Sequence, residues 1–232
     1  MKRNKAFLVL LAVSAVLAGC GSNNAAEPFS PEYIENYLET CYGTDFSYVG
    51  EFSPEGSDIE AYTFKDSSGI ETVVKKSKSE VVIGADYRIT DYYDCAKLAA
   101  DEEIQKKLDD SGFEYSFKND DGITCGIYMN VRSYDDIPKA SEVLHGIADS
   151  YRIDKAGDAS AFDEGDFRFG SMSPHIALYD EERRPLSYIN IPSVREGEQP
   201  YIISLPEFIE ANQSAYKSNR EYPKAGNSVE IR

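Results

Sequence analysis

The segment from Phe113 to Val131 constrains the fold most. Phe113, Tyr115 and Phe117 alternate with polar residues, Asn119-Asp120-Asp121-Gly122 is turn chemistry, and Ile123, Cys125, Ile127, Met129 and Val131 alternate back. Period-two patterning on both sides of an Asn/Asp/Gly turn predicts a β-hairpin with one face toward a core. Similar pairs of short alternating runs recur along the chain, separated by segments of helical period. A second hairpin is expected from Ile59–Lys65, a turn at Asp66-Ser67-Ser68-Gly69, and Ile70–Lys75. Single strands are expected at 45–52, 81–89, 166–170, 176–180, 186–191 and 201–205.

The helical segments are equally well marked. Ser30 can cap a helix with Pro31 in its first turn, Ile34, Tyr37, Leu38 and Cys41 form its apolar stripe, and Gly43 stops it. A helical stretch from Asp91 carries Cys95, Leu98, Ala99, Ile104 and Leu108 imperfectly on one face. It predicts a break near Asp101 and an end at Gly112. Asp135 and Asp136 can cap a helix that has Pro138 in its first turn and Ala140, Val143, Leu144, Ile147 and Tyr151 on its apolar face. A last helix is expected over 207–218. Helices that separate hairpin-like groups, without regular βαβα alternation, argue for an α+β fold with helices packed on antiparallel sheet. One domain over 30–220 is expected, with a possible division into two small α+β units near 88–92 and a loose tail at 221–232.

The first nineteen residues stand apart from this body. Lys2, Arg3 and Lys5 form a positive start, and residues 6–18 are apolar except for Ser14. Thirteen residues are too few to cross a hydrocarbon core, which needs roughly 20. The run closes on Leu17-Ala18-Gly19-Cys20, which resembles the lipobox of bacterial lipoproteins. The resemblance implies cleavage before Cys20, a diacylglyceryl group on its sulfur, and a chain held at the outer face of the cell membrane. Residues 20–29 are then a small, polar tether. Two acyl chains make such anchoring stable, because one chain binds only marginally.

The chain also carries the run Tyr37-Leu38-Glu39-Thr40-Cys41-Tyr42-Gly43-Thr44-Asp45-Phe46 and, after strands, Ile89-Thr90-Asp91-Tyr92-Tyr93. Over residues 30–95 this is similar to a module in surface lipoproteins of Gram-positive bacteria whose function is unknown. The resemblance implies a helix on a small antiparallel sheet and transfers no catalytic residue.

Charge narrows the partners. The chain has 24 Lys+Arg and 41 Asp+Glu; removing the three basic residues of the signal gives 21 − 41 = −20 for the mature body. That balance opposes nucleic acid and anionic lipid, both polyanions. The lipid would therefore do the holding without help from a basic face. Cys41, Cys95 and Cys125 are an odd set and read as small buried hydrophobes.

A search for chemistry returns little. His145 and His175 are far apart in sequence and read as incidental surface residues. In Gly170-Ser171-Met172-Ser173-Pro174-His175 a proline stands where a nucleophile elbow needs glycine. The loop at 154–166 holds five carboxylates, yet an EF-hand frame starting at Asp154 meets Ala156 and Ala159 where a ligand and a glycine are required. A solvated loop is the expectation there. The seventeen tyrosines, with no tryptophan, fit core packing better than a glycan platform.

No catalytic, metal or cofactor residue is assigned, and Cys20 alone receives a role. The leading expectation is a membrane-anchored, non-enzymatic module that binds a protein, peptide or glycan or assists an envelope complex. The alternatives are an extracellular hydrolase using carboxylates or a divalent cation, and a transporter-associated solute-binding protein.

Overall fold

The computed structural model describes residues 28–54, 59–78, 86–153, 157–191 and 202–222. The expected signal, Cys20, most of the expected tether, the expected strand start at 81–85, Tyr201 and the end of the expected tail lie outside the described residues.

Helix α1 (Pro31–Tyr42) begins where Ser30 Oγ accepts from the Tyr33 amide at 3.3 Å. It stops at Gly43, whose left-handed φ of 66° returns its amide to the Glu39 carbonyl. Four strands follow: β1 (Phe46–Glu51), β2 (Glu60–Asp66), β3 (Glu71–Lys78) and β4 (Tyr87–Asp91). The predicted break divides the next helical stretch into α2 (Tyr93–Ala100) and α3 (Glu102–Ser111). Asp101 makes the break, leaving helical backbone and capping α3 with its carboxylate on the amides of Glu103 and Ile104. The predicted hairpin is β5 (Glu114–Lys118) and β6 (Thr124–Asn130), turned by the Asn119 side chain on the Ile123 amide and by Gly122 at φ 76°.

Helix α4 (Ile137–Ser150) is entered through a 3-10 turn at Tyr134–Asp136. Asp136 does not cap it, because its carboxylate accepts the Ser133 hydroxyl instead. Strands β7 (Phe167–Ser171), β8 (His175–Tyr179) and β9 (Pro185–Asn190) complete the sheets. The strand expected up to Leu205 is not formed at 202–204. Leu205 already belongs to α5 (Leu205–Glu221), which starts earlier than its apolar pattern suggested because Glu207 reaches back to the Ser204 amide.

The fold is α+β with two mixed sheets. The first has strand order β1-β2-β3-β4-β7 and the second β5-β6-β8-β9. Each is antiparallel except for one parallel pair, β4 with β7 and β6 with β8. Parallel neighbours need long crossovers, and here each crossover runs through the other unit. A cut near 88–92 would pass through β4 and leave β7, a strand of the first sheet, on its far side.

Three apolar clusters follow from this layout. On one face of the first sheet, α1 buries Ile34, Tyr37, Leu38 and Cys41 against Phe64, Val74, Ile89 and Phe169. On the second sheet, Ile127, Met129, Ile176 and Leu178 pack with Leu144 and Ile147 of α4 and Phe208 of α5. Between the units, Ala61 and Val73 from the other face of the first sheet meet Tyr92, Cys95, Ile123 and Cys125.

Both edges of the first sheet are closed by carboxylates. On β1, the amides of Phe46 and Tyr48 donate to Glu39 Oε1 and Glu35 Oε1 of α1, at 3.3 and 2.6 Å. On β7, the Phe169 amide donates to Asp163 Oδ1 at 2.8 Å. Free edge amides template pairing with another chain, and these bonds remove them. The double variant Glu35→Ala/Glu39→Ala is therefore expected to self-associate with rising concentration where the wild type does not, as read by light scattering. No difference between them would mean that the edge needs no such cover.

Candidate functional site

A cleft of about 180 Å³ opens where β2 and β3 meet the β5–β6 hairpin and the start of α2. The sheet contributes Thr63, Thr72 and Val73, α2 contributes Ala96 together with Tyr92, the residue just before the helix, and the hairpin contributes Lys118, Gly122 and Thr124. The walls are held together by backbone: the Tyr92 amide donates to the Val73 carbonyl at 3.1 Å. Tyr92 is only 6% exposed, and burial, with the Cys125 and Cys95 thiols adding, pushes its phenol well above its ordinary pKa. It therefore offers a neutral hydroxyl. Glu71, also on the wall, is paired with Lys65 at 3.4 Å, and Lys75 on the same strand pairs with Asp121 at 3.1 Å.

Cys95 and Cys125 share a cluster with Tyr92 and Val73. The Cys95 thiol donates to the Met172 carbonyl and the Asn119 side-chain amide donates to Cys125 Sγ, both at 3.5 Å. Burial pushes the Cys125 thiol up to about 11 and the Cys95 thiol higher still. Nearby, the Tyr128 hydroxyl lies 3.0 Å from His175 Nε2, and burial lowers the imidazole pKa. A protonated thiol and a neutral imidazole are the reverse of an activated nucleophile pair. At neutral pH all three described cysteines, which are buried, should resist iodoacetamide in the native protein and react once it is unfolded. Cys125 is expected to gain reactivity only as pH approaches 11, and rapid native labelling at pH 7 would contradict this burial.

Neither histidine is an incidental surface residue. His175 is half-buried on Tyr128, and His145 Nε2 lies 2.9 Å from the Ile203 carbonyl, tying α4 to the segment before α5.

The densest polar cluster sits under α1. Asp91, fully buried at the end of β4, accepts from the hydroxyls of Tyr37 and Tyr42 and, at 3.2 Å, from the Tyr93 amide. Tyr42 also reaches Ser171 Oγ at 3.0 Å and Asp94 Oδ2 at 3.5 Å, and Lys97 Nζ lies 3.3 Å from Asp94 Oδ1. Burial first, and then Asp91, push the Tyr37 and Tyr42 phenols far above their ordinary range. Two close carboxylates are what a hydrolase would need, but Asp91 spends its oxygens on α1 and α2, and neither carboxylate lines the cleft. The cluster joins α1, β4, α2 and β7. Ser171 is a partner of Tyr42 at the end of β7.

The acidic loop is likewise structural where it is described. Asp158 caps a 3-10 turn at Ala159–Phe162, Asp163 closes the β7 edge, and Glu164 accepts the Tyr33 hydroxyl at 3.2 Å. The turn was expected to be solvated loop, but Phe162 packs edge-on against Tyr37 with ring centroids 5.4 Å apart. Phe162, an aromatic residue amid carboxylates, was the available signal. Among the described residues no group of three or more His, Cys, Asp or Glu is placed to hold a metal ion.

Tyr92, Lys118, Thr63 and Thr124 went unassigned in the sequence because no motif joins them; they meet only through the packing of the two sheets. Comparison with protein-family models, with curated proteins and with solved structures finds no match.

Proposed function

We propose that this chain is a lipoprotein anchored through Cys20 at the outer face of a bacterial cell membrane, and that its body is a non-enzymatic binding or envelope-accessory module. The observation that carries the anchor is Leu17-Ala18-Gly19-Cys20, placed directly after a positive start and a thirteen-residue apolar run. The body supports this order of parts. Phe29 is 7% exposed and stacks on Tyr62 at 4.7 Å, with Lys76 Nζ 5.3 Å from its ring. The tether thus ends at a pinned aromatic. Residues 21–28 are eight, which reach about 28 Å when extended.

Phe29 belongs to the cluster under α1, together with Phe64 and Val74. The cleft uses Thr63 and Val73, the alternate residues of the same strands, which point to the other face of the sheet. The anchored end and the cleft are therefore on opposite faces, an arrangement suited to presenting a binding site away from lipid. A mature charge of −20 does not favour lipid or nucleic acid as the ligand.

The anchor is tested by growth with labelled fatty acid. The wild type should incorporate label and Cys20→Ala should not; label retained on Cys20→Ala would end the proposal.

A further inference from the structure

The cleft between the two sheets presents several hydroxyls, which can donate or accept, one ammonium and one carboxylate. Tyr92 is more than nine-tenths buried, lines the cleft, and its hydroxyl makes no hydrogen bond among the described residues. The Lys118 ammonium and the hydroxyls of Thr63 and Thr124 are on the same walls and likewise have no partner among the described residues. An ammonium only donates. The one carboxylate on the wall, Glu71, already faces Lys65 at 3.4 Å. The Tyr92 hydroxyl is unpartnered yet not closed off from solvent, so it is available to a ligand in the cleft, and together with the ammonium it can donate to a group that accepts.

The remaining wall is apolar, with Phe52, Val73 and Ala96. A volume of about 180 Å³ is below the roughly 300–1,000 Å³ of drug-sized sites. It admits a group the size of one side chain. A single ammonium beside an apolar wall suits a monovalent anion with an apolar body better than a phosphate.

We infer that this cleft binds a small organic carboxylate, its charge taken by Lys118 and the hydroxyls of Tyr92, Thr63 and Thr124, its apolar part against Phe52, Val73 and Ala96. The inference rests on the reading of the body as a binding module and names the ligand chemistry of that module. The same group is offered by a free amino-acid-like acid or by the C-terminus of a peptide.

The test uses the full chain purified from membranes in detergent, titrated with N-acetylvaline and with its uncharged N-methylamide. The acid should bind at least about tenfold more tightly than the amide, the size of effect a charge-assisted hydrogen bond gives. Lys118→Met should remove that preference. Tyr92→Phe, which keeps the ring and its packing, should weaken the acid about fivefold with no loss of thermal stability. The tripeptide Ala-Ala-Val and its C-terminal amide separate the two sources: a peptide-end site prefers the tripeptide acid to N-acetylvaline, and a free-acid site reverses the order.

Equal binding of acid and amide, binding of neither, or acid binding unchanged in both variants would each overturn the carboxylate assignment. A neutral sugar or peptide amide in the same titration that binds the wild type and weakens in Tyr92→Phe would overturn the carboxylate alone. The binding-module reading would then stand.

Discussion

Asp91→Ala should destabilise the protein by about 4 kcal/mol, read as a fall in the denaturant midpoint. The substitution leaves the hydroxyls of Tyr37 and Tyr42 and the amide of Tyr93 without their acceptor, Tyr37 and Tyr93 being buried and Tyr42 partly so. Each buried donor left unsatisfied costs about 1–3 kcal/mol. Tyr42 keeps Ser171 within 3.0 Å and so recovers part of its share. For a chain of this length the loss corresponds to a melting point lower by roughly 10 °C. Glu32→Ala, at an exposed position of α1, is the control and should stay within about 0.5 kcal/mol. Equal midpoints for the two variants would mean that the Tyr–Asp cluster does not hold α1 to the sheet.

Gly126→Ala should be more damaging still. Strands β6 and β8 run parallel with Gly126 opposite His175, and a Cβ added at Gly126 would sit 1.9 Å from the His175 carbonyl oxygen. The carbonyl carbon and the amide nitrogen of His175 would lie at 2.9 and 3.0 Å, all of them backbone, so no rotamer relieves the clash. The two strands must separate at the centre of the second sheet, which also pulls His175 from Tyr128. A loss above about 4 kcal/mol is expected, the range of severe core overpacking, with little soluble protein recovered. Gly146→Ala in α4 should act oppositely. It meets nothing within 4 Å and replaces a poor helix former, so a gain of up to about 1 kcal/mol is expected. Recovery of Gly126→Ala at wild-type stability would contradict the parallel register of β6 and β8.

Local structure was largely legible in the sequence. The caps Ser30 and Gly43, the break at Asp101 and the Asn119–Gly122 turn each depend on residues within a few positions of one another, and each formed where the pattern placed it. The parallel pairs β4–β7 and β6–β8 were not legible. Alternation identifies a strand face but carries no information about which distant strand lies beside it. The interlocking of the two units follows from those pairs and was lost with them.

The carboxylates show the same boundary. Glu35, Glu39, Asp91 and Asp163 are unremarkable members of a strongly acidic composition until the fold sets an amide or a hydroxyl opposite each. The surplus of acid is in part the means by which sheet edges and buried tyrosines are satisfied. The cleft was hidden for a related reason. Thr63, Tyr92, Lys118 and Thr124 come from four separate segments, and no one of them departs from what its own strand or helix would tolerate.

The proposed anchor is the reverse case: its reading rests on twenty consecutive residues and owes nothing to the fold. The intact mass of the protein purified from bacterial membranes tests it most directly. The account predicts a chain that begins at Cys20 and carries the added mass of a diacylglyceryl group there. A chain that begins elsewhere, or one that begins at Cys20 without that added mass, would contradict it.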